Sequence, residues 1–267
     1  MQKMKFWKMS GAGNDFVLLA GGRRNTADLK RLAARLCSRR LSVGADGLLF
    51  LRRAGRDAVS LRYFNSDGSE AFCGNGSRCA AWWAYRRGWT GRKLALDTAA
   101  GTLRAEIAGP GQVKLSMPPV AAVGLRHSGK YPPGIGAVHF LDTGVPHAVV
   151  PVRGLEKLDV EKLGRALRHN PAFGRAGANV DFVQVSGGTV RVRTYERGVE
   201  AETLACGTGI TAAAVALALA GDVKPPVKLA ARSGERFTVW LEPRGGGAAG
   251  IVLKGPAEMV FEGQVKL

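Results

Sequence analysis

The chain has 267 residues, of which 46% are hydrophobic, enough to bury a core and to divide into two modest domains. Its net charge of +18 raises nucleic acid as a partner, but Arg31, Arg35, Arg52, Arg92 and the other basic residues are scattered over what read as solvated faces. No nucleic-acid motif accompanies them, so that class is set aside. Four cysteines, Cys37, Cys73, Cys79 and Cys206, are too few for a disulfide scaffold and lack the paired spacing of zinc sites. The longest apolar run, Ile210 to Ala220, is too short to span a bilayer, and Gly11, Gly13, Asn14 and Asp15 interrupt the segment after Lys3, Lys5 and Lys8 where a signal peptide needs an apolar stretch. A cytoplasmic protein without a membrane partner is expected.

In chain order, Met4 to Ala20 reads as a strand, a Ser-Gly-Ala-Gly-Asn turn and a second strand. Asp28 to Arg40 places Leu29, Leu32, Ala33, Leu36 and Cys37 at helical spacing. Gly44 to Gly47 is a turn into the strand Leu48 to Arg52, and Ala58 to Phe64 is a strand running into an Asn65-Ser-Asp-Gly loop. Cys73 follows, then Gly-Asn-Gly and an Ala-rich helix ending near Gly88. Two further strands are clearest at Leu94 to Leu96 and Val113 to Ser116, and Pro118-Pro119 marks a boundary.

The second half repeats this order. Val138 to Val150 answers the opening strand-turn-strand, and the helix from Asp159 answers the one from Asp28, a shift of 131 positions that also carries Leu32 and Leu36 onto Leu163 and Leu167. Glu196 takes the place of Asn65 under the same shift, and Cys206 the place of Cys73 under a shift of 133. The period is far too long for a solenoid. The helices after Cys73 and Cys206 have almost no polar face, so each must be buried on several sides. The expected architecture is therefore a mixed α/β (α+β) fold of two pseudo-symmetric domains, each a curved mixed sheet or barrel wrapped around a central helix. Residues 1–118 and 119–257 form the two, with the final strand at 258–267 able to return to the first, and both cysteine-bearing helix ends are expected to point into one cleft.

A cysteine at a helix N-terminus has unpaired N–H groups and the positive end of the macrodipole beside it, which favour thiolate and also seat an anion. Cys73 alone is equally well read as a buried structural residue; its repetition at Cys206 favours a working pair. Cys37 and Cys79 fall within helices and read as packing residues. Inverting a stereocentre beside a carboxylate without metal or organic cofactor requires a proton taken from one face and another delivered to the opposite face. Two thiols do this when one is thiolate and its partner thiol. Gly74 and Asn75 on one helix, with Gly207 and Thr208 on the other, are placed to donate N–H groups to the carboxylate.

The stretches Lys8 to Phe16, Phe64 to Cys79, Gly144-Val-Pro-His147 and Thr194 to Gly209 resemble the motifs of the diaminopimelate epimerase family, and the likeness spans nearly the whole chain. The resemblance implies a cofactor-independent interconversion of LL- and meso-2,6-diaminopimelate on the route to lysine and peptidoglycan, a two-domain fold with the site in the cleft, and a homodimer. It also implies Cys73 and Cys206 as the acid/base thiols. Asn14, Asn65, Asn179, Glu196 and Arg197 match the substrate contacts, Gly74-Asn75 and Gly207-Thr208 the loops holding the reacting end, and His147 and Glu196 the residues that tune the thiols. Arg197 is suited to take the distal carboxylate bidentately, whereas Asn14 and Asn179 lie in turns, where Asn also serves backbone geometry alone.

Two positions depart from the family pattern: Val145 stands where many relatives have Asn, and Gly47 where some have Gln. A two-thiol racemase acting on proline or hydroxyproline is the nearest rival, but a ring with one carboxylate has no distal groups for Asn65, Asn179 and Arg197. A non-catalytic anion-binding or nucleic-acid-binding protein gives no reason for two matched cysteines.

Overall fold

The computed structural model describes residues 3–266. The chain runs β1 (Lys3–Gly11), β2 (Asn14–Ala20), α1 (Thr26–Leu36), β3 (Gly47–Gly55), β4 (Ala58–Asn65), β5 (Glu70–Ala71), α2 (Gly74–Arg86), β6 (Lys93–Thr98), β7 (Gly101–Gly109) and β8 (Gln112–Ser116). It continues β9 (Val123–Gly124), β10 (His139–Asp142), β11 (Pro146–Pro151), α3 (Val160–Arg168), β12 (Asn179–Ser186), β13 (Thr189–Glu196), β14 (Ala201–Thr203), α4 (Gly207–Ala220), β15 (Val227–Ala230), β16 (Arg236–Arg244), β17 (Gly247–Pro256) and β18 (Glu258–Lys266). Two compact units result: the described residues up to Leu115 together with those from Gly255 onward, and Ser116–Lys254.

In the first unit β18 lies antiparallel to β1, β1 to β2, β3 to β4, β6 to β7 and β7 to β8, while β2–β3 and β4–β6 are parallel and β5 is added to β4. In the second, β9 through β17 repeat every direction: β11–β12 and β13–β15 are parallel, the remaining pairs antiparallel, and β14 is added to β13. Each parallel step is bridged by a helix, since parallel neighbours need a long crossover. α1 and α3 bridge the first of these steps, α2 and α4 the second. β9 follows β8 in the chain yet pairs in the second unit, and β18 follows β17 yet pairs in the first.

The apolar helices sit inside. Gly74 through Ala84 of α2 are all buried, and the helix packs against β1, β2, β3, β4, β6, β7 and β18. Trp83, 1% exposed, is the largest side chain in this interior and meets Trp7 and Trp89 edge-on at centroid distances of 4.7 and 5.0 Å. Edge-on pairs of this kind add about 0.5–1.5 kcal/mol each beyond the burial of their area. α4, with Gly207 and Gly209 through Leu217 buried, packs against β10, β11, β12, β13, β15 and β16. A sequence of Ala, Val, Leu and Ile without a polar stripe has no face to give to water, so the sheet must surround it. α1 and α3 are amphipathic and pack on the other side of their sheets, where Leu29, Leu32 and Leu36 join Val17, Leu48 and Phe50, and Val160 and Leu167 join Val180 and Phe182.

Three differences from the sequence reading appear. β7 and β16 are strands beyond those expected; in β7 the buried Leu103, Ala105 and Ile107 alternate with Arg104 and Glu106, and in β16 the buried Phe237, Val239 and Leu241 alternate with the less buried Thr238 and Trp240. α1 ends at Leu36 rather than Arg40. Cys37 caps it, Arg40 turns left-handed (φ 71°), and the N–H groups of Gly44 and Ala45 close on the carbonyls of Leu36 and Cys37, which frees Arg39 to reach back to β2.

Candidate active site

Cys73 is the N-cap of α2, with an extended backbone (φ −141°, ψ 111°), and its sulfur accepts the N–H of Gly76 at 3.4 Å. Its carbonyl accepts from the N–H and the hydroxyl of Ser77, both at 2.9 Å, which fixes the first turn. The thiol, half-buried, donates to Asn14 Oδ1 at 3.7 Å. Asn14 Nδ2 is bound by Asp46 Oδ2 at 2.5 Å, so the amide can present only its oxygen to the sulfur. The Asp46 and Asp15 carboxylates each accept the other residue's backbone N–H, and Arg39 donates to both carboxylates at 2.7 and 2.8 Å. Lys8 closes the group, 2.7 Å from Asp15 and donating to the Gly44 carbonyl. Burial pushes the Asp15 carboxyl up, but hydrogen bonds and charge from Arg39 and Lys8 outweigh it and hold the group below its ordinary range.

Asn65, at the end of β4, accepts from the Tyr63 hydroxyl at 2.8 Å and donates to Ser69 Oγ at 2.9 Å. Gly47 explains the tyrosine. A Cβ at position 47 would overlap the Tyr63 ring and stand 2.8 Å from its hydroxyl, so the missing side chain is what admits the ring beside Asn65. Asn75 is 4% exposed and its Oδ1 accepts from Arg78 Nη2 at 2.9 Å, so its side chain serves the helix interior. Gly74 opens α2 and is buried.

In the second unit Cys206 caps α4 in the same way, with φ −112° and ψ 113° and the Gly209 N–H 3.4 Å from sulfur. Thr208 Oγ1 lies 3.3 Å from the sulfur, and Gly207 begins the helix. Asn179 Oδ1 accepts the Arg197 N–H at 2.8 Å, while its Nδ2 faces the Pro146 carbonyl at 3.3 Å and His147 Nε2 at 3.4 Å. His147 is fully buried, with Nδ1 2.7 Å from Asp181 Oδ2, and Asp181 Oδ1 accepts from the Thr194 hydroxyl at 2.7 Å. Glu196 and Arg197 follow at the end of β13, both half-buried.

Helix-end thiols were expected to ionise easily; Cys206 does not fit that expectation. Burial pushes its thiol well above the ordinary range, and the charges of Glu196 and Asp181 act in the same direction. Hydrogen bonds from Thr208 and Gly209 oppose the shift without overcoming it. Cys37 and Cys79, both buried, are pushed up to about 12 by desolvation and act as packing residues.

Asp181, Thr194, Asp46 and Tyr63 were not singled out in the sequence. The one legible signal was Asp181 itself, a carboxylate within the apolar run Val180-Asp-Phe-Val183, where an uncompensated charge has no place. Among the described residues no group of three or more His, Cys, Asp and Glu side chains could hold a metal ion, and no helix is long and apolar enough to cross a membrane.

The structure of a probable proline racemase from Agrobacterium radiobacter K84 superposes with a TM-score of 0.72 at 20% identity, covering 99% of this chain and 93% of that one. A hydroxyproline epimerase from Agrobacterium vitis gives 0.73 at 22% identity over 99% and 91%. At these identities the likeness is one of fold. Sequence goes further: the diaminopimelate epimerase of Aquifex aeolicus is 42% identical over 279 aligned positions, covering 98% of both chains, and that of Chlorobaculum tepidum is 38% identical, covering 97% of this chain and all of the relative. The family model for diaminopimelate epimerase matches residues 6–123 and 139–260, spans that take in both capping cysteines and every hydrogen bond described around them, and the chain belongs to that family.

Proposed function

We propose that this protein is a diaminopimelate epimerase, interconverting LL- and meso-2,6-diaminopimelate in the supply of lysine and peptidoglycan precursors, with Cys73 and Cys206 exchanging the α-proton and no cofactor taking part. The observation that carries the reading is the repeated cap: at both cysteines the sulfur accepts the N–H of the third residue on, at the mouth of an apolar helix. One thiol, as thiolate, removes the α-proton while the other delivers its own to the opposite face, and the roles reverse for the other isomer. The first-turn groups of Gly74-Asn75 and Gly207-Thr208 suit the carboxylate on which charge develops, because helix N-termini present N–H donors and a positive field.

Asn14, Asn65, Asn179, Glu196 and Arg197 are assigned to the substrate, and His147 and Glu196 to tuning the thiols. Asn14 has the most direct support, since its oxygen is aimed at Cys73 Sγ by Asp46. For Glu196, support comes from the effect of its charge on Cys206. We further assign the enzyme to the cytoplasm as a homodimer.

The test is incubation of purified protein with LL-diaminopimelate in deuterated water under reducing conditions. Deuterium at the α-carbon and appearance of the meso isomer, without added metal or pyridoxal phosphate, are expected. Exchange into proline with none into diaminopimelate would overturn the assignment.

A further inference from the structure

Because strand register is repeated, the side chains beneath the first turn of each central helix occupy equivalent positions. In the first unit Phe16 pairs with Gly47, and Leu49 with Tyr63; in the second His147 pairs with Asn179, and Asp181 with Thr194. Phe16, Leu49 and Tyr63 thus answer to His147, Asp181 and Thr194. Behind α2 the set is apolar, apart from the Tyr63 hydroxyl turned to Asn65. A Cβ on Gly76 would stand 2.7 Å from Leu49 Cδ2 and 3.6 Å from Phe16 Cε1. Behind α4, a Cβ on Gly209 would overlap Asp181 Oδ1 and stand 3.3 Å from Cys206 Cβ. Gly209 is therefore the opening through which a buried carboxylate comes up against the turn that carries the second thiol.

Hydrogen bonds fix the orientation of that carboxylate. Asn179 Oδ1 is taken by the Arg197 N–H, so the amide must turn Nδ2 toward His147 Nε2, which then accepts. The imidazole carries its proton on Nδ1 and donates it to Asp181 Oδ2, while the Thr194 hydroxyl donates to Oδ1. An imidazole N–H and a hydroxyl thus each donate to one oxygen of the carboxylate, and the helix N-terminus helps to hold it in place. We propose that Asp181 is a positioning residue for the Cys206 thiol: held beneath the first turn of α4 by His147 and Thr194, it keeps Cys206 as the proton-bearing member of the pair between turnovers.

The proposal rests on the epimerase reading and gives the relay a direction. A second anion beside a buried carboxylate is costly, so Asp181 disfavours thiolate at Cys206 in the free enzyme. The Cys73 thiolate takes the substrate's α-proton and becomes a thiol; Cys206 gives its proton to the other face and becomes a thiolate. Burial is the largest influence on Cys206, followed by the charge of Glu196 from β13 and then that of Asp181 from β12, opposed by the donors Thr208 and Gly209. Glu196 remains when Asp181 is changed, so the effect of Asp181 is separable.

The test uses the full chain carrying Cys73→Ala and follows iodoacetamide alkylation of Cys206 against pH by peptide mass spectrometry. Replacing Asp181 by Asn should lower the alkylation midpoint by about one unit, roughly tenfold more thiolate at a fixed pH below it, and Asp181→Glu should restore most of the original midpoint. An unchanged midpoint in Asp181→Asn with native circular dichroism would overturn the proposal. Should Asp181→Asn not fold, Asp181→Ser in the same Cys73→Ala chain takes its place, with the same fall of the Cys206 midpoint expected and an unchanged midpoint overturning the proposal. These readouts need no substrate. Failure of the wild-type chain to turn over diaminopimelate would therefore remove the epimerase reading and leave the alkylation result readable.

Discussion

The mouths of α2 and α4 share a cap and differ in what lies beneath it. Both present a cysteine with extended backbone, both place an N–H 3.4 Å from sulfur, and both begin with a glycine. Under α2 the buried layer is Phe16 and Leu49, and the polar network, Asn14 with Asp46, Asp15, Arg39 and Lys8, approaches the sulfur from the side. Under α4 the polar network is itself the buried layer. Duplication thus conserved the backbone geometry that holds a thiol and left the side chains free to give the two thiols different surroundings.

The widest break in this comparison comes from removing either sulfur. Cys73→Ala and Cys206→Ala should each lower LL-to-meso conversion by at least about a thousandfold, read by chromatography of the isomers, because loss of one acid or base stops exchange at one face. Near-wild-type turnover in either would end the two-base account. Stability should separate the two glycines beneath the caps. Gly209→Ala forces a methyl into a buried, hydrogen-bonded carboxylate and should cost about 2–3 kcal/mol in urea unfolding, whereas Gly76→Ala meets only the end of the Leu49 side chain and should cost about 1 kcal/mol or less. Equal losses would mean that the layer beneath α4 yields as readily as that beneath α2.

A smaller effect is expected at Asn65. Tyr63→Phe removes one of the two side-chain hydrogen bonds that set its amide and leaves the one to Ser69, so KM for diaminopimelate should rise roughly three- to tenfold with kcat little changed, as for loss of about 1 kcal/mol of positioning. An unaltered KM would separate Tyr63 from the substrate. The mildest prediction concerns acid. Glu70 is held below its ordinary range by its hydrogen bonds from Arg62, and Asp15 by Arg39 and Lys8 against the opposing pull of burial. Groups depressed in the folded state stabilise it fully above their unfolded values, near 4, and lose that contribution as pH falls through the folded ones. Thermal midpoints should fall with pH below about 4, and Asp15→Asn should flatten part of that slope.

Much of the fold was legible because it is periodic. The apolar helices after each cysteine had to be enclosed, and the shift of 131 positions that aligned Asp28 with Asp159 also carries Phe16 onto His147, positions the structure shows paired to equivalent partners on β3 and β12. β7 is hard to read because its alternation is carried partly by Ala105 and Thr102, which weigh little in a hydrophobic pattern, and β16 because Trp240 fills the outward position between Val239 and Leu241 and blurs the period of two. The glycine-rich turns announced where a thiol stands, since N-cap geometry depends on a few consecutive residues.

The duplication, the two capped cysteines and the family motifs are thus readable along the chain, because all of them are local or repeated and survive being read one residue at a time. That Gly47 makes room for the Tyr63 ring, that Asn14 shows its oxygen to Cys73, and that Asp181, 25 positions before Cys206, stands with His147 and Thr194 beneath the first turn of α4 emerges only once the strands are packed. Those facts depend on which face of a strand turns inward and on what a missing Cβ admits. The ionisation of a buried thiol follows from the charges and dipoles gathered around it in space, and strands distant in sequence supply them.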